Sequence, residues 1–146
     1  MKAYLSRRYH FSASHRLHVD HFTEQENRET FGKCNNPHGH GHNFTVQVTL
    51  SGRIDQDTGM VTNLADLDAF AHQHFLSRFD HINLNTLELF SKLVPTAENV
   101  AIALHEIFRS YPYAKLENLH VEETGNNSFD YAADGDTWKG RHADAH

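Results

Sequence analysis

The 146-residue chain contains one cysteine, Cys34, so no disulfide can close within it. A lone thiol without a disulfide framework fits a reducing compartment, and a cytoplasmic protein is expected. No run of about 18 apolar residues occurs, which argues against a membrane-spanning helix. The opening MKAYLSRRYHF lacks the apolar stretch of a secretory signal. Basic residues are in deficit, with 13 Lys and Arg against 19 Asp and Glu and a formal net charge of -6. Phosphate-backbone binding needs a basic surface, so nucleic acid is not an expected partner. By the same reasoning, a phosphorylated small molecule would need a local positive patch. The length predicts a single domain over 1–146, able to bury about two-thirds of its unfolded surface.

Histidine, by contrast, is abundant, with 14 copies. Imidazole is the commonest metal ligand and titrates near neutral pH. Drift in surface composition accounts for most of these residues, so position must single out the rest.

The apolar pattern predicts the elements. Leu5, Tyr9, Phe11 and Ala13 occupy odd positions of a strand over 3–15, interrupted by Arg7 and ending at His15. Residues 16–39 are polar, carry Gly32, Asn36-Pro37 and Gly39, and read as a long loop of the kind that usually has a function. Phe44, Val46, Val48 and Leu50 alternate with polar residues in a second strand, Phe44 to Ser51. A turn at Asp55–Gly59 precedes a helix over 63–79 with Leu64, Leu67, Ala71 and Phe75 on one stripe. Thr96 is the expected N-cap of a second helix bearing Val100, Leu104, Ile107, Phe108 and Tyr111, and Pro112 ends it. Leu119, Val121 and Glu123 share a face of a third strand, and Ser128–Ala132 form a fourth after the turn at Gly125-Asn126-Asn127. Residues 133–146 are expected to fray. This β-β-α-α-β-β order predicts an α+β fold, an antiparallel sheet with two helices on one face. Its two open edges invite oligomerisation.

Strand parity selects three histidines. His40-Gly41-His42 places two imidazoles on the same side of an extended chain, the side of Phe44, Val46 and Val48. His15 falls on the apolar face of the first strand, whereas His10 has the other parity and His18 lies beyond the strand. One inward histidine is more often a satisfied core residue. Three aimed at one cavity suit a catalytic zinc, which takes three protein ligands and keeps a position open. His38 is the rival ligand, although Pro37 and Gly39 leave it in the loop.

The remaining candidates each carry two readings. Cys34 is either a small buried hydrophobe or, beside a cation, a thiolate base. Asp80-His81, between the helices, is either a proton relay or a surface pair. Glu123 shares the face of Leu119 and Val121 and needs a partner. Either an Arg or Lys supplies it, or a ligand with an amidine-like N–H pair, such as a pterin or guanine edge.

Several runs of sequence resemble the 6-pyruvoyltetrahydropterin synthase family. They are Phe11-Ser12-Ala13-Ser14-His15-Arg16-Leu17, Cys34-Asn35-Asn36-Pro37-His38-Gly39-His40-Gly41-His42-Asn43, Gly59-Met60-Val61, Asp80-His81-Ile82-Asn83-Leu84-Asn85, Pro95-Thr96-Ala97-Glu98-Asn99 and Val121-Glu122-Glu123-Thr124. The resemblance spans roughly residues 9–131. It implies the tunnelling fold (T-fold), with trimers stacked into a homohexamer, a dimer of trimers. It implies zinc on His15, His40 and His42, a pterin anchored by Glu123 with Thr96 in the substrate site, and Cys34 as proton acceptor. Asp80 and His81 would be the relay, arriving from a neighbouring subunit. The implied reaction is a lyase step on 7,8-dihydroneopterin triphosphate, for which Arg16, Arg28 and Lys33 are candidate phosphate contacts. The similar 6-carboxytetrahydropterin synthases of queuosine biosynthesis take the same substrate and release acetaldehyde. Five residues separate Cys34 from His40 here, as in the pyruvoyl-forming branch, whereas three do so in the carboxy-forming branch. A non-enzymatic zinc- or pterin-binding module is the alternative from another class, and it would need no thiol beside the metal.

Overall fold

The computed structural model of the protein describes residues 2–132, so the expected tail at 133–146 lies outside the described residues. The first strand, β1 (Lys2–His15), pairs antiparallel with β2 (His40–Arg53) along its whole length, from Lys2 opposite Arg53 to His15 opposite His40. On its other side β2 pairs antiparallel with β4 (Lys115–Thr124), which in turn pairs antiparallel with β5 (Asn127–Tyr131). The strands thus extend the four expected from alternation by a few residues at most ends.

Two elements depart from the expected order. The segment read as a loop over 16–39 holds α1 (Glu24–Phe31) and a 3₁₀ turn, Gly32–Asn35. Helix α1 is polar all round and buries only Asn27, so it leaves no apolar stripe to detect. Its start is nonetheless written in the chain as a capping box. The Thr23 side chain accepts from the Glu26 N–H, and the Glu26 carboxylate accepts from the Thr23 N–H at 2.9 Å. The second departure is β3 (Ile82–Asn83), a two-residue strand parallel to β1 at Ala13 and Ser14. The sheet is therefore mostly, not wholly, antiparallel, in the order β3-β1-β2-β4-β5.

The helix expected over 63–79 is composite: α2 (Leu64–Ala71), a π-helical turn (His72–Leu76) and α3 (Ser77–Phe79). The spacing of its buried residues accounts for the π turn. Leu67, Ala71, Phe75 and Phe79 are all fully buried and lie four apart. At about 3.6 residues per turn, each step of four overshoots one turn by about 40°, so an unbroken α-helix would rotate this stripe off the core. A wider π turn takes up the excess. Leu64, expected on the same stripe, is 36% exposed at the helix start.

Helix α4 (Ala97–Phe108) begins at the expected N-cap, where the Thr96 hydroxyl accepts from the Asn99 N–H. It ends at Phe108, four residues before Pro112, and Tyr111 is buried in the turn beyond with its hydroxyl 2.6 Å from that of Thr62. Both long helices pack on one face of the sheet. Phe75 meets Phe11 edge-on at 5.3 Å, and Phe108 stacks near Tyr9 at 6.3 Å. Arg7, the one charge on that face of β1, is answered from α2. Its guanidinium donates to both Asp68 carboxylate oxygens at 3.1 and 2.8 Å, and the Tyr9 hydroxyl donates to the same carboxylate.

Phe75 sits among the rings of Tyr9, Phe11, Phe79 and Phe108. Phe75→Ala is expected to lower stability by about 3–5 kcal/mol in urea titration, as for other large-to-small core changes. A loss under about 1 kcal/mol would remove Phe75 from the centre of the core.

Candidate active site

The β1–β2 ladder delivers the three histidines. His15 lies opposite His40, and His42 lies opposite Ala13, so the three imidazoles meet on the core face. Phe44 forms their floor, edge-on to His15 at 6.0 Å and to His42 at 5.7 Å. The approach of the strands is close. Gly39 has φ +73, and a Cβ there would lie 3.1 Å from the His15 carbonyl oxygen, so a side chain would push His40 away from His15.

The ligating atoms of His15, His40 and His42 all lie within 4.8 Å of one another. His15 is fully buried, and its Nδ1 donates to the Pro95 carbonyl at 2.7 Å, which leaves Nε2 as the free lone pair. That Nε2 is 3.2 Å from His40 Nε2. His40 Nδ1 and His42 Nε2 are buried without a hydrogen-bond partner. Unpartnered buried nitrogens are costly unless something else satisfies them. Burial lowers the basicity of His15, offset in part by Pro95, and burial with the neighbouring His42 does the same to His40. Three crowded imidazoles with unpartnered buried nitrogens form a donor set that could hold a metal ion. His38, the rival ligand, stays in the loop, exposed and with its N–H on the Asn36 side chain.

Glu123 completes the cluster. Its carboxylate oxygens lie 3.6 Å from His42 Nε2 and 4.0 Å from His15 Nε2, with only 14% of the side chain exposed. Neither Arg nor Lys pairs with it among the described residues, while Glu122 turns to the other face and His120. Glu123 and Thr96 also line one cavity of about 600 Å³, walled by Leu17, Phe31, Asn127 and Phe129. Sequence pattern alone missed the contributions of Phe31, on α1, and of Pro95. The capping box announced the helix, whereas nothing in the sequence signals a carbonyl aimed at His15.

Cys34 lies in the 3₁₀ turn after α1, half-buried, with its carbonyl accepting from the Leu17 N–H at 2.8 Å. The Asn35 side chain locks this turn by donating to the Leu17 carbonyl at 2.7 Å. Burial pushes the Cys34 thiol above its ordinary 9.0, and the nearby Glu123 charge adds to the effect. A cation at the histidines acts in the opposite direction.

Asp80 and His81 form the expected pair, with His81 Nδ1 3.0 Å from Asp80 Oδ2. Asp80 also accepts from the Ser12 N–H, and His81 sits at φ 61 with its N–H on the Ser12 carbonyl. The His81 ring is 80% exposed and lines a cleft with Ser12, Ser14, Gly41 and Asn43, whose parity is opposite to that of His15, His40 and His42, and with Ala13 and His42 at its border. Within one chain the pair thus sits at the β3 edge of the sheet, and no described contact joins it to Cys34.

A sequence profile of the family described as 6-pyruvoyl tetrahydropterin synthase matches residues 4–134. The chain belongs to this family. It is 45% identical over 128 residues to a human 6-pyruvoyl tetrahydrobiopterin synthase, covering 86% of this chain and 88% of that one. A 6-carboxy-5,6,7,8-tetrahydropterin synthase of Bacillus subtilis is 31% identical over 109 residues, covering 70% and 68%. The solved structure of a 6-pyruvoyl tetrahydropterin synthase from Caenorhabditis elegans superposes with a TM-score of 0.84 at 40% identity, covering 91% of this chain and 96% of that one. That likeness establishes the tunnelling fold of this family for the chain, and no described helix is long and apolar enough to cross a membrane.

His40→Ala is expected to abolish zinc binding, by metal analysis of the purified protein, while leaving the chain folded. Full zinc in that variant would move the assignment to His38. For the metal-free chain, His15 and His40 titrate below the ordinary 6.5. The unfolded form then binds more protons just below pH 6.5, so stability rises with pH and is lost as pH falls through 6.5 toward the folded values. Denaturant midpoints of the metal-free protein should be lower at pH 5 than at pH 7.5.

Proposed function

We propose that the protein is a zinc-dependent lyase converting 7,8-dihydroneopterin triphosphate to 6-pyruvoyltetrahydropterin with elimination of triphosphate. The observation that carries this reading is the convergence of the His15, His40 and His42 imidazoles with Glu123, whose charge also reaches the Cys34 thiol. A zinc ion on His15, His40 and His42 supplies Lewis-acid polarisation of the substrate's side-chain oxygens. Every other step belongs to the chain's own groups.

Glu123 accepts the pterin's N–H pair at the base of the cavity shared with Thr96, which orients the ring. Cys34 as thiolate removes a carbon-bound proton from the side chain, and a histidinium returns one at the neighbouring carbon. Oxidation at one carbon is balanced by reduction at the other, so no redox cofactor takes part. Triphosphate leaves with the electron pair of its C–O bond. Asp80 holds His81 for the returning proton, and because no described contact joins this pair to Cys34 within one chain, it acts on a neighbouring subunit's site. A homohexamer, a dimer of trimers, provides that neighbour. Among the described residues, the unpaired edge of β5 and the length of β1 left uncovered by β3 are the edges available for it.

The pyruvoyl product is favoured over the carboxy product by the five residues between Cys34 and His40. The higher identity to the human pyruvoyl-forming relative than to the Bacillus subtilis carboxy-forming one agrees with this. Mass spectrometry after incubation with the triphosphate substrate should find all three side-chain carbons still attached to the pterin. Acetaldehyde equal to substrate consumed, with a 6-carboxy product, would overturn the reading. Cys34→Ala should keep zinc and pterin affinity while losing turnover by roughly 10²–10⁴-fold, the usual contribution of a positioned base. Light scattering should give about six times the chain mass, and a fully active monomer would contradict the shared site.

A further inference from the structure

The run Pro95-Thr96-Ala97-Glu98-Asn99 ends in a side chain to which the proposed reaction gives no role. Asn99 lies half-buried on the first turn of α4. We infer that it is a positioning residue for the metal cluster: by holding the turn around Pro95, it keeps the Pro95 carbonyl on His15 and so fixes which nitrogen of that imidazole faces the ion. This rests on the metal site proposed above and deepens it by naming what orients one of its ligands.

The stretch from Ser91 to Pro95 forms neither helix nor strand. Among the described residues, Lys92–Pro95 is tied down through two carbonyls, those of Val94 and Pro95. The Val94 carbonyl accepts two bonds. The Thr96 N–H donates to it at 2.8 Å, closing a three-residue turn around Pro95. Asn99 Nδ2 donates to it at 2.8 Å as well. The first bond bends the chain locally, and the second anchors the bend to the helix. Asn99 is itself held in place, because its backbone N–H donates to the Thr96 hydroxyl at 3.2 Å. Between the two anchored neighbours the pyrrolidine ring of the buried Pro95 restricts φ, so its carbonyl has little freedom of direction.

That carbonyl lies 2.7 Å from His15 Nδ1. A carbonyl only accepts, so Nδ1 carries the proton and Nε2 keeps the lone pair that points at His40 and the cluster. His15 is fully buried, and bulk water does not replace Pro95 as acceptor. With the carbonyl displaced, nothing on that side favours the proton at Nδ1. A ring protonated on Nε2 instead turns an N–H toward the ion and must change tautomer before it can ligate. Groups that orient a ligand in this way typically contribute about 10–100-fold to metal affinity. Asn99 thus reaches the cluster through Val94, Pro95 and His15.

The test compares wild type with Asn99→Leu and Asn99→Ala, both of which remove the donor, and with Leu104→Ala as a control. Leu104 is fully buried on the same helix, so its loss weakens α4 while leaving the turn at Pro95 bonded. Zinc affinity is read by competition with a chromophoric chelator, and the His15 tautomer by nitrogen-15 NMR of the metal-free proteins. Both Asn99 variants should bind zinc about tenfold or more weakly. Their His15 should become a mixture of tautomers, where wild type shows the proton on Nδ1 alone. Leu104→Ala should lower the denaturant midpoint yet keep wild-type zinc affinity and a single His15 tautomer. If Asn99→Leu does not fold, Asn99→Ala carries the same comparison. Wild-type zinc affinity and an unchanged tautomer in a folded Asn99 variant would overturn the inference. An equal loss of both in Leu104→Ala would overturn it too, by reducing Asn99 to a general support of the helix. Failure of the metal reading looks different: wild type would bind no zinc, while the tautomer contrast would still decide whether Asn99 orients His15.

Discussion

The antiparallel pairing of β1 with β2 is the constraint on which the rest of the molecule depends. Side chains alternate faces with a period of two, so a slip of one residue would turn every inward group outward. The register that places Phe11 opposite Phe44, with their rings stacked at 4.7 Å, also places His15 opposite His40. Core and metal cluster are therefore not separate achievements of the fold. Burying the phenylalanines commits the imidazoles to the same side, where burial lowers the basicity of His15 and His40. The cluster holds buried nitrogens without protein partners, and the surrounding aromatic packing makes them costly until a bound ion or ligand satisfies them.

Around this ladder the molecule divides its chemistry between the two faces of the sheet. The core face carries the histidines, Glu123 and, through the Leu17–Cys34 backbone bond, the thiol-bearing turn. The other face carries Asp80 and His81, tied to Ser12 by both the Asp80 carboxylate and the His81 N–H. The sheet thus separates groups that the proposed reaction needs together, which is the separation that the proposed hexamer would bridge. Two cavities near the cluster differ in character, one part apolar and carrying Glu98 and Glu123, the other lined by Arg16, Arg28 and Lys33 with Glu24.

Much of this was legible in the sequence because strand periodicity is a strong signal. Alternation placed four strands, and parity alone separated His15, His40 and His42 from His10. Parity likewise turned Glu123 inward and Glu122 outward. Helix α1 carries no apolar stripe, and its one buried residue, Asn27, bonds to the backbone of Val19 and Thr23 rather than entering the core. Its capping box is a local signal that periodicity does not contain. Strand β3 escaped for a different reason: two residues cannot display a period, and their pairing with β1 is a tertiary event. The side of the sheet taken by Asp80-His81 was equally invisible, since it follows from the length of the helix before it and from contacts to Ser12. Arg7 read as a flaw in an apolar face until Asp68, 61 residues later, supplied both oxygens.

The π turn at His72–Leu76 has a consequence for the reacting groups. A π turn holds about one residue more than the α-helical turn it replaces. Deleting a single residue there would let the helix run on as regular α, rotating everything after it by about 100°. Phe79 would swing out of the core, and Asp80 would leave the Ser12 N–H that now holds it. One surplus residue in the middle of a helix thus acts as a phase setting, aligning the apolar stripe before it with the acid–imidazole pair after it. Substitution at the exposed positions of the turn leaves this alignment intact, whereas a change in its residue count does not.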